Sequence, residues 1–506
     1  MENVSNIYHF VIAFVGPLGS GCTTSYDLMR EVLAEEKLHK GSYELVQIKV
    51  SDILKENDSV KEDYDNFDAY QKTRHLQKIG NELRRIDQYK VGKLIVEKLI
   101  AKRIKIKFDS TGSDIFVFSI IDSLKNPYDL KFLKNVYGRS LMLIGVTADR
   151  DVRWTRLKKK SGWGGKEQQF NEIDEIDREE RDEQGNAILF GQKVEDVFMS
   201  ADYYIVNNEG VGHNLTTLKQ ELGRAVQILT RNLFISPTKN ETFMHYAWAA
   251  SRRSLCMSRQ VGAAIVSKTG ALLSLGWNEV PRAGGGLYAE CGHAGNDARC
   301  AGYGDEPICF NDQQKGIIVD ELFSKLVKEY PNIKENEKVL RSIFRKSRIS
   351  DLIEFSRAVH AEMEAIIAVA RNASMGLRDS TLYVTTMPCH SCARHIVASG
   401  IKEVQYIEPY RKSKAVALHS DSINLSNKEI EGKVWFRQYG GIAPSNYLEA
   451  YEAHHERKQE SGSKASEFHA SYLDKNYSVE NHNGVWYTNG ELVNLISSPS
   501  KEEASK

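Results

Sequence analysis

Two short segments constrain this chain more than anything else in it: His360-Ala361-Glu362 and, downstream, Pro388-Cys389-His390-Ser391-Cys392. One histidine and two cysteines are three of the four donors of a tetrahedral zinc site, and a site that leaves its fourth position to water is a catalytic one. For the three to meet, the start of a helix carrying His360 must face a second helix opening at Cys389. There the i, i+3 spacing puts Cys389 and Cys392 on one face. Two helix N-termini directed at one point favour thiolates and developing negative charge. Glu362, two residues past the histidine, is then close to the metal yet free to carry protons. A closed, purely structural zinc site made by the same three ligands and a fourth would need neither that glutamate nor the proline before Cys389.

The pattern around these segments reads as α/β. After a break at FISPTKN (234–240), where Ser-Pro ends a helix, a helix runs to Arg253, followed by strands at 260–267 and 271–278. A long Gly- and Cys-containing insert (281–311) comes next, then a helix from Ala358, a strand at 381–386, a helix from Cys389 and a strand at 403–408. The N-terminal half opens with an apolar strand from Ile7 to Val15, then GPLGSGCTT, then a helix from Ser25. Further strands are expected at 43–50, 104–110, 140–147 and 202–208. Helices are expected from about 68 to 102 and 215 to 231, and a charged helical segment projecting over a site at 150–199. Alternating strands and helices imply a parallel sheet.

With 506 residues the chain exceeds one ordinary domain. The expected division is 1–234, 235–448 and a polar C-terminal extension, 449–506, whose segment 484–496 packs back on the body. Lys+Arg and Asp+Glu both number 68, a balance that argues against a long nucleic acid as the main substrate. No apolar run reaches the ~18 residues of a membrane span. The first apolar run lacks a basic flank and a cleavage site, so a buried strand and a cytoplasmic protein are expected. In that compartment clustered cysteines suggest metal more than disulfides.

Gly16, Gly19, Ser20, Gly21, Cys22, Thr23 and Thr24 form a second constellation. Residues 16–23 fit the phosphate-cradling pattern GxxxxGK[ST] at all positions but one, where Cys22 replaces lysine. Backbone amides at a helix start can still wrap a nucleotide phosphate, but the cation that steadies phosphoryl transfer is missing.

H-x-E followed by P-C-x-x-C is the signature of zinc-dependent base deaminases, in which the glutamate moves protons between water, the ring nitrogen and the leaving amine. The stretches 249–281 and HAEMEAIIAVARNAS…STLYVTTMPCHSCARHIVASGIKEVQYIEPY resemble deoxycytidylate deaminases over about 241–410. The resemblance implies a cytidine-deaminase-like three-layer α/β/α domain. It also implies Asn278 at the sugar or base, Arg371 and Arg259 at the phosphate, and Tyr410 beside the nucleotide. Glu364 departs from the asparagine many members carry there. Some members hold a second, structural zinc. Cys256 and Cys291 resemble two of its ligands, and His293 or Cys300 would have to replace the others, since Ala358 and Ser350 do not match. Buried free thiols, Cys309 among them, are the alternative. The N-terminal half resembles nucleoside-monophosphate kinases, with a P-loop parallel sheet, FDSTG (108–112, with Asp109), the Arg-rich 149–157 and the last strand 201–208.

The fusion as a whole resembles the anti-phage deoxycytidine nucleotide deaminases of the AvcD/DcdV type. That resemblance implies action on dCTP and dCMP, homo-oligomers such as hexamers, and restraint by a small RNA. An RNA or single-stranded DNA deaminase would need a basic, aromatic groove. A nucleotide-sensing switch would not need Glu362, and Cys22 counts against an active kinase.

Overall fold

Nine consecutive residues, Ile7–Val15, are buried along their whole length, as in the middle strand of a parallel sheet covered on both faces. The computed structural model puts this run there. It describes residues 7–35, 42–57, 64–104, 115–159, 162–163, 166–182, 185–209, 215–231, 234–288, 298–302, 307–372, 376–410, 412–426, 428–452, 457–464, 478–482 and 485–496. Strands β1 (Ile7–Val15), β2 (Ser42–Lys49), β3 (Ile115–Asp122), β4 (Leu141–Thr147) and β5 (Tyr203–Val206) lie in the order β5-β4-β1-β3-β2 and are mutually parallel. The crossovers carry α1 (Cys22–Glu35), α2 (Val50–Glu56), α3 (Ala69–Ile86), α4 (Lys90–Arg103), α5 (Pro127–Tyr137), α6 (Arg150–Lys158), α7 (Glu167–Arg178) and α8 (Val194–Met199), with α9 (Thr216–Leu229) last.

One expectation changes here. Strand β3 was not expected at Ile115–Asp122; its IFVFSIID, apolar but for Ser119 and Asp122, is buried along its length and fills the slot between β1 and β2. Residues 105–114, and with them most of the strand expected at 104–110, FDSTG and Asp109, lie outside the described residues. The helix expected over 68–102 is two helices, α3 and α4. Asp68 caps α3 through a capping box with Gln71.

The chain divides into two compact units, Met1–Thr238 with Gly440–Lys506, and Lys239–Tyr439. Residues 440–448, expected in the second domain, belong with the first unit. The short strand Gly441–Ile442 adds antiparallel to β5. The segment expected to pack back does so through Glu491, which is wholly buried. Arg103 Nη1 and Nη2 donate to its carboxylate at 3.1 and 2.5 Å, and the Tyr137 hydroxyl donates at 2.9 Å. Among the described residues no helix is long and apolar enough to cross a membrane.

The second unit opens with α10 (Lys239–Ser251) and the strands β6 (Gly262–Val266) and β7 (Leu272–Trp277). After α11 (Phe310–Glu329), α12 (Glu337–Lys346) and α13 (Ala361–Asn372) come β8 (Thr381–Thr386), α14 (His390–Ala398), β9 (Glu403–Glu408), β10 (Ile423–Asn424) and β11 (Val434–Gln438). The sheet order is β7-β6-β8-β9-β11-β10, with β6 antiparallel to both neighbours and the last four strands parallel.

Two glycines show why there are three layers. A Cβ on Gly262 would lie 1.9 Å from the Ala247 carbonyl of α10, and one on Gly276 would lie 2.2 Å from the Ala361 carbonyl of α13. Gly262 pairs with Trp277 and Ala263 with Gly276. Side chains alternate faces along a strand, so the two glycines face opposite ways and α10 and α13 cover opposite faces. Ala361, Ala365, Cys389, Cys392 and Ile396 share one core with Ala263 and Ile265, which puts α14 beside α13.

Removing one partner from a buried ion pair strands the other charge, at a cost of about 3–5 kcal/mol. Glu491→Ala should therefore lower the unfolding free energy of the first unit by that order, read as a lower urea midpoint at unchanged slope. An unchanged midpoint would show that the C-terminal segment contributes nothing to it.

Candidate active site

The entry to α13 is fixed by a two-bond bridge. Glu279 N donates to Val359 O at 3.2 Å, and Val359 N donates to Glu279 O at 3.0 Å. His360 follows at once, its carbonyl accepting from Glu364 N at 2.9 Å, so the imidazole stands at the helix N-terminus. Cys389 caps α14, and its Sγ accepts from Cys392 N at 3.5 Å. Parallel β8 and β9 deliver this turn at their C-terminal ends, where open α/β sheets form crevices.

His360 Nδ1 lies 3.4 Å from Cys389 Sγ and 3.3 Å from Cys392 Sγ. All three atoms fall within 4.8 Å of one another, and among the described residues they are the only such group of three. A tetrahedral zinc with N and S ligands at ordinary bond lengths sets N and S about 3.6 Å apart, so the donors fit the ion in kind and spacing. Glu362 is 4% exposed. Burial is the main cause of its raised pKa. The hydrogen bond with Cys392, then that with His360, pulls Cys389 down to about 4, while hydrogen bonding to Cys389 and burial push Cys392 up. His360 rises to about 9, chiefly through its hydrogen bond with Cys389. The cluster is built to hold a thiolate, the form that binds metal.

His360, Glu362 and Cys389 line a cavity of about 340 Å³ whose wall includes Arg259, Asn278, Thr386 and Tyr410. The Arg259 guanidinium sits 5.7 Å from the Tyr410 ring centroid and pairs with Glu408. Asn278 is 7% exposed. Its Oδ1 accepts from Val261 N at 2.7 Å and its Nδ2 donates to Arg259 O at 2.8 Å, so both ends of the amide hold the wall. Arg371 is not brought to the cavity, and its guanidinium pairs with Glu364, which is 5% exposed.

Cys256, Cys300 and Cys309 line the mouth without forming a three-ligand cluster, and Cys291 and His293 lie outside the described residues. Lys315 on α11 and Lys412 beyond β9 also face the cavity. Both were missed in the sequence, where nothing separates them from the many surface lysines.

In the first unit, residues 16–24 join β1 to α1 and line a separate cavity of about 620 Å³. Gly19 and Gly21 have φ of 83° and 110°, values that suit glycine. Arg156 Nη1 donates to the Gly19 and Ser20 carbonyls at 3.1 and 3.0 Å, and Thr23 Oγ1 donates to Asp122 at 2.8 Å.

The family model described as the cytidine and deoxycytidylate deaminase zinc-binding region matches residues 237–408, which include both ligand-bearing helix starts. The chain is 32% identical over 178 residues to the deoxycytidylate deaminase of Enterobacteria phage T4, covering 35% of this chain and 81% of that protein. The chain belongs to the deoxycytidylate deaminase family. A probable deoxycytidylate deaminase of Caenorhabditis elegans is 27% identical over 187 residues, 36% of this chain and 66% of that one. The crystal structure of the dCMP deaminase from cyanophage S-TIM5 in complex with dCMP and dUMP is 20% identical, with a TM-score of 0.24 over 41% of this chain and 100% of that one. The family resemblance thus falls on the second unit, the one that carries His360, Glu362, Cys389 and Cys392.

If the cluster is a deaminase zinc site, elemental analysis of the purified protein should find zinc. His360→Ala and Cys392→Ala should each lose the equivalent of zinc held by the cluster, and Cys309→Ala should not. Full zinc in the first two variants would place the metal elsewhere.

Proposed function

We propose that the second unit hydrolyses deoxycytidine nucleotides, taking dCMP to dUMP and dCTP to dUTP with release of ammonia. The observation that carries this reading is the meeting of His360, Cys389 and Cys392 with a buried glutamate at the floor of a nucleotide-sized cavity. Zinc held by those three side chains would supply a water acidified toward a pKa of ~7. Glu362 accepts one proton of the attacking water and hands it to N3 of the ring as the C4–O bond forms; it then takes the proton left on the new C4 hydroxyl and gives it to the amine, which departs as ammonia while C4=O forms. Burial suits it to this, since raising the pKa of the carboxyl makes its carboxylate a stronger base toward the attacking water.

Asn278 acts by fixing the backbone at 259–261, which aims Arg259 and the wall beside Tyr410 at the nucleotide. Lys315 and Lys412 add positive charge at the mouth, where the phosphates of the substrate would lie. Arg371 holds Glu364 rather than the phosphate. A second, structural zinc would draw on Cys256 and Cys300, with Cys291 and His293.

The first unit is read as a P-loop, kinase-like domain that binds nucleotide through residues 16–24. Its support is a five-stranded parallel sheet with the glycine loop at the end of the central strand. The pairing of such a unit with a deaminase is that of the anti-phage deoxycytidine nucleotide deaminases which the sequence resembles. On this reading the enzyme is a cytoplasmic homo-oligomer that drains dCTP during infection and is otherwise held in check by a small RNA.

Loss of a general acid–base group costs about 10²–10⁴-fold in rate. Glu362→Ala should keep its metal while kcat for dCMP falls at least ~100-fold; turnover near wild type would reject the mechanism. Offered dCMP, dCTP and a cytosine-containing single-stranded oligonucleotide in parallel, the protein should release ammonia from the free nucleotides alone. Release from the oligonucleotide alone would move the substrate to the polynucleotide class.

A further inference from the structure

The glycine loop of the first unit lacks its own cation. Cys22 occupies the lysine position, and burial pushes its thiol up to about 12, so it stays neutral. Phosphate bound by loop amides alone would keep most of its charge uncompensated.

The cavity around the loop nevertheless holds cations from elsewhere in the fold. Lys125, just past the end of β3, donates through Nζ to the Gly16 carbonyl at 3.3 Å and to Asp177 at 2.8 Å. Its ammonium therefore stands at the first residue of the loop, and an ammonium has three protons to donate. Arg84 on α3 also lines the cavity and is 2% exposed. Its Nε and Nη2 donate to Asp129 at 3.1 and 2.6 Å. Its Nη1 is buried with no hydrogen-bond partner among the described residues. A buried donor left open in this way is rare and calls for an acceptor.

Several other polar groups of the cavity are already engaged. Arg156 donates to the Gly19 and Ser20 carbonyls and to the Asn207 and Glu209 carbonyls, which makes it a clamp on the loop. The Asp122 carboxylate accepts from Thr23. That of Glu209 accepts from the Thr217 and Leu218 amides at the start of α9.

We propose that this cavity binds a phosphate-bearing ligand, with Lys125 supplying the charge that Cys22 does not and Arg84 Nη1 contacting a further anionic group. The proposal rests on the reading of residues 16–24 as a phosphate cradle. It makes Lys125 the functional counterpart of the missing loop lysine, reaching the same phosphate from the neighbouring strand. It also explains how a loop with cysteine at this position retains the glycine geometry of a cradle.

The test uses the full chain, with inorganic tripolyphosphate and ATP as probes. Calorimetry would give the dissociation constants, and hydrogen exchange would follow protection of the backbone at 16–24. Wild type should bind and protect the loop. Lys125→Met should weaken binding at least about tenfold, the loss expected for a charge-assisted contact. Lys125→Arg should stay close to wild type. Because Lys125→Met also leaves Asp177 without its lysine, two further variants are needed. Lys125→Met/Asp177→Asn should remain weak although the stranded carboxylate is gone, and Lys125→Met/Cys22→Lys should regain binding. Undiminished binding and loop protection in Lys125→Met would overturn the role of Lys125 and leave the cradle standing. Absence of binding or of protection at 16–24 in wild type would overturn the cradle itself, and the proposal with it.

Discussion

The second unit depends on two helices beginning at the same point. Helix α13 delivers His360 and Glu362, and α14 delivers Cys389 and Cys392; neither helix start has a use for these side chains without the other. Their approach is enforced by packing. Gly276 lets α13 lie against β7, the Glu279–Val359 bridge fixes where α13 begins, and parallel β8 and β9 place Cys389 at the mouth of the crevice. Helix N-termini and thiolates favour each other electrostatically. The cluster thus gathers two sulfurs and a nitrogen at the spacing of a metal site while keeping a buried carboxyl next to them.

The two units solve the problem of holding charge in different ways. In the second, charge is concentrated in a buried thiol–imidazole cluster, with lysines and an arginine at the rim. In the first, the cations sit on the elements around the loop instead of in it. Arg153 and Arg156 hold the loop carbonyls, and Lys125 reaches the loop from beyond β3.

Much of this was legible in the sequence where one physical signal dominated. Uniform burial marks β1, and compact apolar runs mark β8 and β9, which run over 381–386 and 403–408 as expected. Metal-ligand spacing alone located the cluster. The signal failed where polar residues broke an apolar run or where burial was slight. Strand β3 at Ile115–Asp122 was passed over, with Ser119 and Asp122 interrupting its apolar run. Helices α11 and α12 were not singled out, although apolar residues recur at helical spacing in both (Val319, Leu322, Phe323 and Leu326; Val339, Leu340, Ile343 and Phe344); α11 buries only Val319 and Phe323, and α12 buries nothing. Position along the chain suggested a phosphate role for Arg371, whose guanidinium pairs with Glu364 in the structure. The inward face of Lys125 or Lys315 is set by tertiary packing, which no local pattern encodes.

The most direct test of the account is to strip the protein of metal with a chelator and follow deamination of dCMP before and after zinc is returned. The account predicts that ammonia release disappears with the metal and comes back with zinc. Turnover that survives complete metal removal would contradict it.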